Sequence, residues 1–314
     1  MSVQFPPVSE ETRVRMLQPP KGRVKAVLDT DTFNEIDDQF AVVYALLSPE
    51  KIDLQAIYAA PYFNEKSTGP KDGMEKSYEE IHRILSRMGV EKENYVFRGS
   101  EDYLPKDKTP VLSPAAEDLV KKARTCTSED PLYVLAIGAI TNVASALLMA
   151  PDIVDKIVIV WLGGHALHWP DTKEFNLIQD VPAAQVVFDC GAPVVQLPCM
   201  GVVDHMLTTL PEINTFVKGR GAIGDFLAQR YFECSDDHFA YSRVIWDPTV
   251  IAWLVCPEGL VTQLRHSPIV TLEGTYSEDC SRHLYGYVSQ VNRDRIFGDL
   301  FRRLQAHAQK EKEE

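Results

Sequence analysis

Paired cysteines, basic runs and long apolar stretches are all missing from this chain. Its six cysteines (Cys126, Cys190, Cys199, Cys234, Cys256, Cys280) are scattered, with no C-x-x-C pair. Such spacing argues for reduced thiols in a cytoplasmic protein, against a disulfide framework or a zinc site. No Lys/Arg run relieves a formal net charge of −13, from 45 acidic and 32 basic residues. Phosphate contacts require clustered cations, so nucleic acid is excluded as a main partner. No run of about 20 apolar residues exists, which excludes a membrane-spanning helix. The opening MSVQFPPVSEETRVRML is too polar for a signal peptide. Internal repeats, low-complexity tracts and Pro/Gly/Ser linkers are lacking too. One domain over 1–314 is therefore expected, with an N-terminal arm over about 1–22 and a frayed tail over about 308–314.

What is present suits a large buried core, since 45% of the residues are hydrophobic and 25% charged. Short β-branched runs alternate with helical patterns from residue 23 to about 200. Arg23–Leu28, Leu54–Ala59, Leu132–Ile137, Lys156–Leu162 and Val194–Leu197 read as strands. The third and fourth are nearly all apolar, as in parallel strands buried on both faces. Helices are expected over Asp38–Leu47, about Met74–Met88, Asn142–Met149 and from Asp180-Val181-Pro182 to Asp189, with proline in the first turn. The segment from Leu210 to Cys256 reads as mostly helical, residues 268–290 as a hairpin and Asn292–His307 as a closing helix. This alternation predicts an α/β fold, a mainly parallel Rossmann-like sheet with helices on both faces and a mostly helical C-terminal region.

The informative segment is Val27-Leu28-Asp29-Thr30-Asp31-Thr32-Phe33-Asn34-Glu35-Ile36-Asp37-Asp38. Two aspartates close a buried strand and two more open the next helix. In an open α/β sheet, sites form at the carboxyl ends of strands. Taken singly, Asp37 and Asp38 suit a helix start and Asp29 suits a turn. Together the five carboxylates crowd one loop, where repulsion calls for a counter-charge. Oxygen ligands with no nearby Cys or His favour a hard cation, calcium or magnesium. A solvated acidic loop is the plainer alternative.

At these residues the chain resembles the inosine–uridine-preferring nucleoside hydrolases, whose signature is D-x-D-P-G-x-D-D. The resemblance continues in order. Asn64 stands where that family places a ribose-binding Asn, and Ile137-Gly138-Ala139-Ile140-Thr141-Asn142 resembles its G-x-L-T-N turn. Gly163-Gly164, Glu174-Phe175-Asn176 and Trp246-Asp247-Pro248 match its G-G, E-F-N and H-D positions, so the likeness spans about residues 23–305. It implies hydrolysis of the N-glycosidic bond of a ribonucleoside or related N-riboside, in purine or pyrimidine salvage. It implies a Ca²⁺ ion held by Asp31, Asp38, Asp247 and the backbone carbonyl of Ile137, with Asp31 as general base on a metal-held water. Asp37, Asn64, Glu174 and Asn176 would bind ribose hydroxyls, and Asp29 would support the cluster from behind. A homodimer or homotetramer is implied as well. Without the resemblance, Asn176, Asp247 and Thr141-Asn142 read equally as capping residues and Glu174 as a surface charge.

Three departures bear on chemistry. The loop from Asp31 to Asp37 is longer and carries Asn34-Glu35 where the family has Pro-Gly. Trp246 replaces a His credited with handling the leaving base, and indole offers only stacking and an N–H. The segment after Arg98-Gly99-Ser100 lacks the family's His-Gly loop. Either the substrate carries a better leaving group or leaving-group duty comes from elsewhere, with His165 and His168 the first candidates. His238, Tyr231 and Tyr241 are candidates to line a base pocket, and Trp246 and Trp169 to stack on a base. Two other readings stay open: a phosphatase of the haloacid-dehalogenase type built on Asp29-Thr30-Asp31-Thr32, and a non-catalytic, calcium-dependent nucleoside binder.

Overall fold

The computed structural model describes residues 3–313. Helix α1 (Glu10–Met16) opens the chain, and strand β1 (Val24–Thr30) leads through the acidic loop into α2 (Asp37–Leu46). Next come β2 (Ile52–Ala59), α3 (Pro70–Arg87), β3 (Val96–Arg98) and α4 (Pro114–Ala123). The pattern repeats through β4 (Leu132–Ala136), α5 (Thr141–Met149), β5 (Ile157–Leu162), α6 (Phe175–Gln179), α7 (Val181–Asp189) and β6 (Val194–Leu197). A ribbon of β7 (Leu207–Thr209) and β8 (Ser242–Val244) brackets α8 (Leu210–Phe216) and α9 (Gly221–Phe232). Helix α10 (Pro248–Val255), strands β9 (Leu260–His266), β10 (Ile269–Val270), β11 (Tyr276–Ser277) and β12 (Leu284–Val291), and α11 (Arg293–Glu313) complete the fold.

Eight strands form one sheet in the order β3-β2-β1-β4-β5-β6-β12-β9. All neighbours run parallel except β12 and β9. Strands β4, β5 and β6 are buried along their whole length, as helices on both faces require. Chain order reverses between β1 and β4, so the crevice outside their carboxyl ends is the switch point where such sheets bind ligands. Asp29 and Thr30 end β1, and Ile137 follows β4 on the neighbouring strand. The expected doubly wound architecture is thus observed. Asp180 caps α7 by accepting the Ala183 N–H at 2.9 Å, with Pro182 in the first turn. Among the described residues no helix is long and apolar enough to cross a membrane.

Several expectations need correction. The hairpin expected over 268–290 is larger: β9 pairs with β12 along seven positions, and β10 with β11 forms only a two-residue ribbon inside it. Strand β12 inserts beside β6, a partner that local periodicity cannot reveal. Helix α11 continues through the described part of the tail to Glu313, with Ala308 buried and His307 3.3 Å from Glu311. Within the arm, the Ser9 hydroxyl caps α1 by accepting the Thr12 N–H, and Arg13 donates twice to the Gly191 carbonyl. The short edge strand β3, and α4 with its Ser113 cap, were not anticipated.

Candidate active site

A cavity of about 380 Å³ opens at the switch point. Asp31, Asn34, Glu35, Asp37 and Asp38 line it from the loop after β1, Asn64 and Glu65 from the loop after β2, and Ile137 from the end of β4. Its remaining walls come from Leu162 at the end of β5, His165, Lys173, Glu174, Phe175 and Asn176 after it, Cys199 and Met200 after β6, and Trp246-Asp247 before α10. Five carboxyl-terminal strand ends and one helix start therefore converge, from residues up to 216 positions apart between Asp31 and Asp247.

The cavity floor is a buried carboxylate cluster. One oxygen each of Asp37, Asp38 and Asp247 lie within 4.8 Å of one another. Asp38 Oδ1 accepts from the Thr30 hydroxyl at 2.5 Å, and Asp37 Oδ2 from the Trp246 N–H at 3.3 Å. Asp247 precedes Pro248 as a capping residue would, yet its side chain makes no capping bond to α10. Both oxygens of Asp31 and Oδ1 of Asp37 are buried with no hydrogen-bond partner among the described residues. Burial first, then the neighbouring carboxylates, pushes the Asp31, Asp38 and Asp247 carboxyls well above the usual range. Asp37 is pushed up to about 7 by burial and by Glu35, with Arg243 opposing. Asp29 reaches about 7 through burial, moderated by the hydrogen bond from Asn142. Buried anions this close need protons or a cation. The orphaned oxygens and the all-oxygen donor set fit a divalent hard cation.

The walls carry more selective groups. Glu174 accepts the N–H groups of Gly164 and Asn176, each at 2.8 Å, and of Leu177 at 3.0 Å. It thus caps α6 from the cavity side; burial still raises its carboxyl to about 7 against these three bonds. Asn176 Nδ2 donates to the carbonyls of Ile137 and Leu162 at 3.2 and 3.1 Å. Asn64 donates to Asn34 Oδ1 at 2.6 Å and accepts the Lys66 N–H at 2.9 Å. Glu35 pairs with Arg243 at 2.8 Å, tying the lengthened acidic loop to β8.

His165 is half-buried, and its Nδ1 accepts the Met200 N–H at 3.3 Å. The neutral ring therefore carries its proton on Nε2, and burial lowers its pKa against the pull of Asp171. His168 is exposed and lies outside the cavity lining, as does Trp169, whose ring meets those of both histidines edge-on. His238 is also outside, its Nε2 bonded to the Phe232 carbonyl at 2.9 Å and its ring among Tyr231, Phe232 and Tyr241. The Tyr231 hydroxyl, fully buried, is taken by the Thr208 carbonyl. These aromatic residues brace the turn before β8 and do not face the cavity. Lys173, Cys199 and Met200 line the cavity without belonging to any site motif of the sequence, whereas Phe175 lies within Glu174-Phe175-Asn176. Cys199 and Met200 lie one residue beyond the expected strand Val194–Leu197, after Pro198, so the strand-end rule points to them.

Residues 26–296 match the family described as inosine-uridine preferring nucleoside hydrolase. The chain is similar to the pyrimidine-specific ribonucleoside hydrolase RihA of Escherichia coli O81 (strain ED1a), with 28% identity over 285 residues, 81% of this chain and 86% of the relative. The corresponding protein of Enterobacter sp. (strain 638) is 26% identical over 80% of this chain and 85% of its own length. In fold, the chain resembles a purine-preferring ribonucleoside hydrolase from Gardnerella vaginalis, with a TM-score of 0.70 at 23% identity over 91% of this chain and 99% of that one. The match leaves the haloacid-dehalogenase alternative without support. Taken with the converging carboxylates, it shows that the chain belongs to the inosine–uridine preferring nucleoside hydrolase family.

Proposed function

We propose that this protein hydrolyses the N-glycosidic bond of ribonucleosides, releasing ribose and the free base. The observation that carries the reading is Asp31, buried with neither oxygen bonded, in the same cavity as the clustered Asp37, Asp38 and Asp247 carboxylates. Asp31, Asp38, Asp247 and the Ile137 carbonyl would hold a calcium ion, with Asp37 close enough to share in the set. When bound, calcium offsets the clustered charge, orients the sugar diol and acidifies a coordinated water.

The chain's own groups divide the remaining work. Asp31 takes the proton of the attacking water, a role worth about 10²–10⁴-fold in rate. Asn64, Glu174 and Asn176 orient the ribose hydroxyls, and the buried carboxylates favour positive charge developing on the sugar. Trp246 presents an indole face to the leaving base, and the neutral His165 offers its Nε2–H as a hydrogen bond that stabilises negative charge on the departing base, which takes its proton from solvent. The relatives are described as pyrimidine-specific in one case and purine-preferring in another. Base preference therefore falls to this wall of Trp246, His165 and Met200. The protein is read as a homodimer or homotetramer acting in the cytoplasm.

A reducing-sugar assay across purine and pyrimidine ribonucleosides, with and without chelator, tests the reading. Ribose release that chelator abolishes and Ca²⁺ restores is expected, and Asp31→Asn should lower kcat by about 10²–10⁴-fold. Nucleoside binding without ribose release from the wild type would instead favour a non-catalytic binder.

A further inference from the structure

Thr141 and Asn142 open α5, where such residues ordinarily cap the helix. The turn into α5 makes no side-chain capping bond. Thr141 donates instead to Asp180 Oδ2 at 2.7 Å. Asn142 is fully buried, and its amide reaches three other segments. Nδ2 donates to Asp29 Oδ1 at 2.7 Å and to the Ala59 carbonyl at 3.3 Å. Oδ1 accepts the backbone N–H of Ser100 at 2.7 Å and its hydroxyl at 2.9 Å. All four hydrogen-bonding positions of the amide are used. A flipped amide would set donors against donors, so the orientation is determined.

The Arg98-Gly99-Ser100 segment supplies the other half. A Cβ at Gly99 would stand 2.0 Å from the Ala59 carbonyl oxygen and 2.5 Å from Asn142 Nδ2. Only glycine lets the chain after β3 come this near, and that approach brings Ser100 onto Asn142. Asp29, the recipient of the Asn142 bond, stands two residues before Asp31, and its Oδ2 is buried without a partner among the described residues.

We infer that Asn142, backed by Ser100 and Gly99, is a positioning residue that locks Asp29 and through it sets the placement of the Asp31 carboxylate for cation binding. The inference rests on the cation-dependent reading under Proposed function. The bond stops Asp29 from rotating and ties the ends of β1 and β2 to the start of α5. Groups that orient ligand carboxylates commonly govern metal affinity by about 10–100-fold.

Calcium titration calorimetry on the full-length protein tests this, using wild type, Asn142→Ala, Asp29→Ala and the double variant, with thermal unfolding of each in chelator. Asn142→Ala should weaken Ca²⁺ binding about 10–100-fold while the folded protein persists. In the Asp29→Ala background the same change should cost almost nothing more, because the two residues act as a unit. A merely structural role predicts a lower Tm with unchanged Ca²⁺ affinity, and that result overturns the inference, as does full additivity in the double variant. Should Asn142→Ala fail to fold, Ser100→Ala, which removes one of the two donors on Oδ1, takes its place. Weaker Ca²⁺ binding by folded Ser100→Ala supports the inference, and binding equal to wild type overturns it. A wild type that takes up no Ca²⁺ sinks the functional reading and this inference with it; normal wild-type binding with unaltered variants sinks this inference alone.

Discussion

Thr30 shows how single side chains on the end of β1 serve the acid cluster. Its hydroxyl lies between Asp38 Oδ1 and the Thr32 hydroxyl, in a site with no exposure. Thr30→Val keeps the shape and leaves a buried carboxylate oxygen without its donor, a loss worth about 1–3 kcal/mol. Denaturant unfolding in the presence of Ca²⁺ should show the variant less stable by that amount, and an unchanged midpoint would contradict the assigned bond. Gly164 carries a different constraint. At φ +73° it sits in the left-handed region, and a Cβ there would lie 2.1 Å from the Tyr276 hydroxyl and 2.5 Å from Thr172 Oγ1. Its N–H also holds Glu174. Gly164→Ala therefore combines strain of at least about 1 kcal/mol with displacement of a cavity carboxylate. A lower Tm together with a raised KM for nucleoside is expected.

Among the elements, α2 matters most, because it brings Asp37 and Asp38 to the floor and must not shift. It is nearly all buried and packs on α10, the helix that Asp247 precedes. Gln39 anchors it to α3 by donating to the buried Glu80 at 2.7 Å, while Arg83 holds the other Glu80 oxygen at 2.8 Å. Arg230 of α9 comes within 4.0 Å of the same carboxylate. Glu80→Ala strands the Gln39 amide in the interior, so a stability loss of about 1–3 kcal/mol follows. Calorimetric or denaturant unfolding would read it. Wild-type stability would show that α2 is held by apolar packing alone.

Across the whole molecule, net charge and the buried acids set the response to pH and chelator. Burial pushes the Asp29, Asp37 and Glu174 carboxyls up to about 7, and burial with the neighbouring carboxylates holds Asp31, Asp38 and Asp247 well above the usual carboxylate range. In the unfolded chain such carboxyls ionise near pH 4. Between these limits the metal-free folded state binds more protons than the unfolded one, so its stability falls as pH rises. A bound divalent cation removes that penalty. Chelator should therefore lower Tm more at about pH 8 than at about pH 5, as thermal melts at the two values would show. Equal shifts at both would speak against the cluster as the metal site.

Much of this was legible in the residues themselves. Apolar runs and their spacing located the strands and helices that build the sheet, because burial on both faces imposes a composition that local reading detects. The five acids from Asp29 to Asp38 announced themselves by density, since like charges are not gathered on one loop without a counter-charge. The sequence by itself could not say which side chains meet. His168 and His238 have the chemistry of site residues, yet the fold turns them to the surface and to a brace, and it brings in Cys199, Met200 and Lys173. Asn142 looked like a helix cap until β1 was set beside β4, which turned its amide onto Asp29. Local pattern is written in neighbouring residues, whereas a contact such as Asn142 with Asp29 joins segments more than a hundred positions apart, and only the assembled sheet decides it.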